Sequence, residues 1–279
     1  MKKVLRKIVP KLYGTYFNLL VLLDKKKLAE KAFTTFCTIR KGRVLPHQEE
    51  YLNACKDDLI EIEGHRIQTY EWSGKKDTVL LVHGWESNTF RWRNLIARLQ
   101  EDDYHIVAFD APAHGNSSGK MLYVPLYEKV LEFLVQHYRP NYLIGHSVGG
   151  MTVLYNQYRN PKSAIEKVIT IGSPSEFHEL MSQYQKLLGY NNQVMNALDD
   201  YILNRFGFHI REFSTTEYAK SIQKKGLLLH DRFDKIAPYH ASANVHANWK
   251  GSKLISTEGL GHSMHQPQVN EHILDFLKS

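Results

Sequence analysis

The run Tyr142-Leu143-Ile144-Gly145-His146-Ser147-Val148-Gly149-Gly150 constrains this chain more than any other stretch. An apolar, strand-like segment ends in Gly-x-Ser-x-Gly, and the apolar spacing from Val148 through Tyr158 is that of a helix. The pattern calls for a sharp strand-to-helix turn that lifts the Ser147 hydroxyl clear of the sheet. The serine then sits in a strained backbone conformation, and a side chain at 145 or 149 would collide with the neighbouring strand or helix. Gly150 relieves the crowding further.

The flanking sequence supplies a sheet for such a turn. Leu59 to Glu63 and Arg66 to Trp72 alternate with period two around Gly64-His65, which predicts an antiparallel hairpin. Beyond Gly74 the strands become continuously apolar, as strands buried on both faces must be. Thr78 to Val82, Ile106 to Phe109, Tyr142 to Ile144, Val168 to Ile171, Leu227 to Leu229 and Leu254 to Ser256 are six such runs, separated by helical segments. The expected architecture is α/β, a mostly parallel sheet wound with helices on both faces after an opening hairpin. Neither an internal repeat nor a low-complexity segment interrupts it. One gap, Ser173 to Gly226, spans about fifty residues with helical spacing and many aromatic rings, too long for a simple crossover. We expect a helical cap, or lid, over residues 174–225, inserted into a body of residues 57–279. Its rings would either line an apolar substrate site or form the insertion's own core.

Charge separates the leader, residues 1–56, from the body. Residues 1–43 carry twelve Lys and Arg against Asp24 and Glu30, whereas the remainder holds 24 basic and 27 acidic residues. The overall charge of +7 therefore belongs to the leader, and nucleic-acid binding by the body loses its support. From Val4 to Leu20 apolar pairs alternate with Lys2, Lys3, Arg6, Lys7 and Lys11, which gives a helix with one apolar and one basic face, kinked if anywhere at Pro10. Such a helix fits packing on the body or lying peripherally on an anionic membrane, where each basic residue near the surface is worth roughly 1 kcal/mol. Its apolar core is too short to span a bilayer and lacks a small-residue cleavage site, which speaks against a signal peptide. Cys37 and Cys55 stand in no metal or redox spacing and read as free thiols of a reducing, cytoplasmic compartment.

A serine hydroxyl becomes a useful nucleophile only beside a base that an acid orients. Downstream of Leu227–Leu229 comes His230-Asp231-Arg232-Phe233-Asp234-Lys235-Ile236-Ala237-Pro238, and after the last strand Gly259-Leu260-Gly261-His262-Ser263-Met264-His265. With His83-Gly84-Trp85 and Asp110-Ala111-Pro112-Ala113-His114-Gly115-Asn116-Ser117, these segments resemble the α/β-hydrolase superfamily in its lid-bearing esterase and lipase-like branch. The order Ser147, Asp234, His262 is the order of that fold. Carried over position by position, the resemblance implies Ser147 as nucleophile, His262 as base and Asp234 as acid. Asp231 remains a rival for the acid and His265 for the base. The backbone N–H groups of Trp85 and Val148 would form the oxyanion hole, with the Trp85 indole as a wall of the acyl pocket. Asp110 and His114 read as shapers of their turn, and His83 as a support of the oxyanion loop.

The resemblance implies a serine hydrolase that cleaves a carboxylic ester or thioester through an acyl-serine intermediate, acting on a small apolar substrate. Neither a phosphate-binding glycine loop nor a metal-binding spacing is present, so no cofactor and no metal are expected. The alternatives are a silent binding protein that keeps the fold, or a lipid hydrolase brought to the membrane by the leader.

Overall fold

A computed structural model describes the backbone of residues 2–279 and the side chains of residues 8–279. The side chains of Lys2, Lys3, Arg6 and Lys7, on which part of the leader's basic face depends, lie outside the described residues. The helices are α1 Lys2–Leu23, α2 Lys25–Cys37, α3 Pro46–Asn53, α4 Arg93–Glu101, α5 Val124–Tyr138, α6 Val148–Arg159, α7 Phe177–Leu188, α8 Asn192–Phe206, α9 Thr215–Ala219, α10 His240–Asn248 and α11 Pro267–Lys278. The strands are β1 Lys56–Ile62, β2 His65–Trp72, β3 Lys76–Val82, β4 Tyr104–Phe109, β5 Tyr142–His146, β6 Lys167–Ile171, β7 Lys225–Asp231 and β8 Ser252–Thr257.

The chain divides into two compact units, one of Ile39–Ser175 with Thr215–Ser279 and one of Met1–Thr38 with Glu176–Ser214. The first holds a single sheet in the order β1-β2-β4-β3-β5-β6-β7-β8. The β1–β2 hairpin pairs Ile62 with His65 across its turn, and β2 runs antiparallel to β4; every other pairing is parallel. Alternate residues of the buried strands feed two separate cores. Leu80, Val82, Val107 and Phe109 pack with Tyr127 and Leu131 of α5 and Val153 and Leu154 of α6. Val79, Leu81, Ile106 and Ala108 pack with Ile96 and Leu99 of α4 and Ile273 and Leu274 of α11. Both faces of the sheet are thus covered, which is why its central strands read as unbroken apolar runs. From β3 the chain passes to β4 on one side and then crosses to β5 on the other, so the carboxyl ends of β3 and β5 flank the point where strand order reverses. Open α/β sheets bind ligands in the crevice at that point.

The second unit is built from the leader and the insertion together. In α1, Phe17 and Val21 are buried, as are Leu28, Ala32 and Phe33 of α2, Met181 and Leu188 of α7, and Val194 and Leu198 of α8. Helix α1 continues through Pro10 without a break. Gly14 lets it approach α7 closely: a Cβ there would lie 2.1 Å from the Leu188 carbonyl oxygen. The Asn18 side chain grips the α7–α8 turn, its Oδ1 accepting from Asn191 N–H at 2.8 Å. The leader helices therefore share a core with residues of the insertion instead of standing as a segment of their own. The insertion's rings are largely consumed in this core: Tyr184 packs on Phe36 and Tyr190, and Phe213 on Phe177 and Phe208. Among the described residues no helix is long and apolar enough to cross a membrane.

Candidate active site

Ser147 sits between β5 and α6 with φ 54° and ψ −124°, a conformation that costs a non-glycine residue on the order of 1–3 kcal/mol. Its N–H donates to the Ile171 carbonyl of β6 at 2.9 Å, which pins the turn to the next strand. The flanking glycines are required by distance. A Cβ at Gly145 would lie 2.6 Å from the Gly149 carbonyl oxygen, and one at Gly149 only 2.2 Å from that of Val82 at the end of β3. One at Gly150 would meet the Ser173 side chain at 2.8 Å. Because α6 starts against β3, the hydroxyl of Ser147 stands at the point where the strand order reverses.

His262 follows β8 and reaches this hydroxyl: its Nε2 lies 3.0 Å from Ser147 Oγ. Its Nδ1 lies 2.7 Å from Asp234 Oδ2. Asp234, with a wholly buried side chain, also accepts from the N–H groups of Ile236 at 2.8 Å and Ala237 at 3.1 Å through Oδ1. Burial pushes its carboxyl upward, but hydrogen bonds from His230, His262 and Ile236 outweigh that and hold it below the usual carboxylate range. Asp231 faces elsewhere. Its Oδ2 accepts from Leu260 N–H at 2.8 Å and Thr257 Oγ1 at 3.1 Å, and its Oδ1 from Phe233 N–H at 3.0 Å. It ties the loop bearing Asp234 to the loop bearing His262 and makes no bond to the imidazole. Of the two candidate carboxylates, the structure brings Asp234 to the histidine; of the two histidines, it brings His262 to the serine.

Two residues of this site had no assigned role in the sequence. His230 lies buried beneath Asp234, its Nε2 3.5 Å from Oδ2 and 3.0 Å from the Ala237 carbonyl oxygen, to which it donates. Its Nδ1 is 2.6 Å from Ser242 Oγ. Only its place at the head of the acid segment pointed to it. His146, the residue before the serine, donates from Nε2 to the His262 carbonyl oxygen at 3.0 Å. Burial, the first cause, together with the nearby Arg91 and His262, holds His146 well below the usual histidine range, so the ring is neutral. No spacing signal marks a contact between residues so far apart in the chain.

The loop after β3 runs directly against the turn. A Cβ at Gly84 would lie 2.8 Å from His146 Nδ1 and 2.9 Å from the Ser147 Cβ, and Trp85 comes next in the chain. Val148 is the first residue of α6, so its N–H has no carbonyl partner within the helix. Trp85 is partly exposed, its ring edge-on to His114 at 6.3 Å. Beneath this loop three buried polar side chains fix the backbone. His83 donates from Nδ1 to the Gly84 carbonyl oxygen at 2.8 Å and accepts the Ala111 N–H at Nε2 at 2.9 Å. His114 Nε2 accepts from Glu86 N–H at 3.0 Å. Asp110 accepts from Thr89 N–H, Asn116 N–H and the Tyr70 hydroxyl, each at 2.9 Å. Among the described residues, no group of three or more His, Cys, Asp or Glu is placed to hold a metal ion.

Residues 77–200 match the family model described as alpha/beta hydrolase fold. A hydrolase of Bacillus subtilis whose function is uncharacterized is 24% identical over 249 residues, covering 73% of this chain and 90% of its own length. A bifunctional esterase/perhydrolase of Acinetobacter calcoaceticus is 25% identical, covering 78% and 98%. Among solved structures, an esterase from Exiguobacterium antarcticum superposes with a TM-score of 0.64 at 18% identity, over 80% of this chain and all of its own.

Proposed function

Starting from a chain that is an α/β-hydrolase by fold, we propose that it is a carboxylesterase-like serine hydrolase that cleaves a carboxylic ester or thioester through an acyl-serine intermediate. One observation carries the reading, the continuous line from Ser147 Oγ to His262 Nε2 at 3.0 Å and from His262 Nδ1 to Asp234 Oδ2 at 2.7 Å. Hydrolase and esterase names among the relatives support the reaction class.

In the first half-reaction Ser147 Oγ attacks the substrate carbonyl as His262 Nε2 takes its proton. Asp234 holds Nδ1–H, so the lone pair of Nε2 faces the serine, and its negative charge offsets the imidazolium that forms. As the carbonyl oxygen gains charge, the N–H groups of Trp85 and Val148 donate to it, and removing one such donor typically costs about 10²–10³ in kcat. Collapse of the tetrahedral species breaks the bond to the leaving oxygen or sulfur, which takes the proton from His262. Water enters by the same steps in reverse, with His262 as its base, and releases the acid and the free serine. The Trp85 indole walls the acyl side of the site.

A fluorophosphonate probe should label the full chain at Ser147, and Ser147→Ala should abolish labelling and lower turnover of p-nitrophenyl esters by several orders of magnitude. Undiminished turnover in a pure Ser147→Ala preparation would refute the mechanism. An unreactive wild-type serine would leave the fold as a binding scaffold instead.

A further inference from the structure

Helix α1 presents far more apolar surface than its unit uses. Gly14, Phe17 and Val21 face the helices packed against it and are buried. The opposite side exposes Ile8, Val9, Leu12, Tyr13, Tyr16 and Leu19, and the helix ends in Leu22 and Leu23. Leu12 is 62% exposed, Leu19 61%, Leu22 70% and Leu23 84%. Among residues 8–23, at about 100° per residue, Ile8, Leu19, Leu12, Leu23, Tyr16, Val9, Leu20 and Tyr13 follow one another around the helix through an arc of roughly 140° that no polar residue of that stretch interrupts. Scattered exposed leucines need no explanation, but a contiguous face of this size on one element does.

Charge selects the occupant. Lys25, Lys26 and Lys27 follow Leu22 and Leu23 after Asp24, which caps α2, and the Lys31 ammonium stands 5.5 Å over the Tyr16 ring. Lys25 and Lys26, with Asp200, Tyr201 and Arg205, line an open pocket of 590 Å³ between α2 and α8. The unit that carries α1, residues 1–38 with 176–214, holds twelve Lys and Arg against seven Asp and Glu. A second copy docking face to face would bring two such surpluses together, whereas a surface of anionic headgroups over acyl chains matches both the apolar arc and its basic flank. Tyr13, at the border of the arc, suits the headgroup level. No described helix can span a bilayer, so the geometry is that of a helix lying in the plane of the interface.

We propose that the exposed face of α1 is a docking surface for an anionic lipid bilayer, held by Leu12, Leu19 and Leu23 in the acyl boundary and by the lysines of α2 against the headgroups. The proposal concerns binding and stands apart from the reaction at Ser147.

The test is co-sedimentation of the full chain with phosphatidylcholine vesicles and with vesicles of phosphatidylcholine mixed with phosphatidylglycerol, for the wild type and for a Leu12→Asp, Leu19→Asp double variant. Both leucines are exposed, so the variant should keep the wild-type Tm and the wild-type turnover of a soluble p-nitrophenyl ester. The wild type should bind the mixed vesicles, more weakly as salt rises, and the variant at least roughly tenfold less. Wild-type protein that stays in the supernatant with mixed vesicles, or a double variant that binds as well as the wild type, overturns the proposal. So does analytical ultracentrifugation showing a wild-type dimer that the double variant dissociates, since the face would then belong to a second copy.

Discussion

Acid should destabilise this protein through the histidine beneath the oxyanion loop. His83 is wholly buried, and burial, the largest cause, draws its pKa from 6.5 down to about 4, with Arg91 adding to the shift and the Gly84 carbonyl opposing it. In the unfolded chain the same imidazole takes up a proton as the pH falls through about 6.5; in the folded chain it resists until about 4. The unfolded state therefore binds more protons throughout that window, and stability falls as pH falls. The contribution is complete above the unfolded value and is lost at a slope approaching 1.4 kcal/mol per pH unit, about 2 kcal/mol by about pH 5 and about 3 kcal/mol by about pH 4. His114 is drawn down in the same direction, chiefly by burial, so the wild-type profile carries more than one such term. Comparison with His83→Gln isolates one of them. Urea unfolding followed by tryptophan fluorescence at a series of pH values should show the wild type losing about 2 kcal/mol more than the variant between about pH 6.5 and 5. Parallel profiles for the two proteins, or an NMR titration of the His83 ring near its unperturbed value, would refute the reasoning.

Further outcomes separate the remaining residues of the site. Asp234→Asn should lower kcat by about 10³–10⁴ with KM little changed, because the isosteric amide favours the wrong imidazole tautomer. Asp231→Ala should instead cost about 1–3 kcal/mol in urea unfolding by leaving the Leu260 and Phe233 N–H groups unpaired. His146→Phe, which removes the bond to the His262 carbonyl, should lower kcat on the order of 10²-fold; a fall in Tm with kcat intact would make His146 merely structural. Gly149→Ala drives a Cβ into the Val82 carbonyl and should destabilise by about 1–3 kcal/mol or fail to fold, as read by circular dichroism.

The sheet was legible because its central strands are buried on both faces, so Val79–Val82 and Leu227–Leu229 had to be apolar throughout, and the Gly145-x-Ser147-x-Gly149 turn because only glycine fits where α6 meets β3. The choice between Asp231 and Asp234 rested on a spacing to Pro238; in three dimensions Asp234 stands against the imidazole and Asp231 is occupied by loop amides. The leader was less legible. Its amphipathic spacing said that one face of α1 would be buried, but not against what, since its partners in α7 and α8 lie far down the chain and the contact at Gly14 depends on a backbone approach that periodicity does not encode. The aromatic residues of the insertion likewise showed that rings would cluster, without showing that they would turn to one another.

The discontinuous unit has a consequence for biosynthesis. A ribosome delivers Met1–Thr38 first and Glu176–Ser214 only after the whole of Ile39–Ser175. Until then the apolar faces of two amphipathic helices lack their partners in α7 and α8, and Phe17, Val21 and Leu28 must wait in the open or in the keeping of a chaperone or a lipid surface. Residues 1–38 are thus made well before the residues with which they share a core and must wait for them.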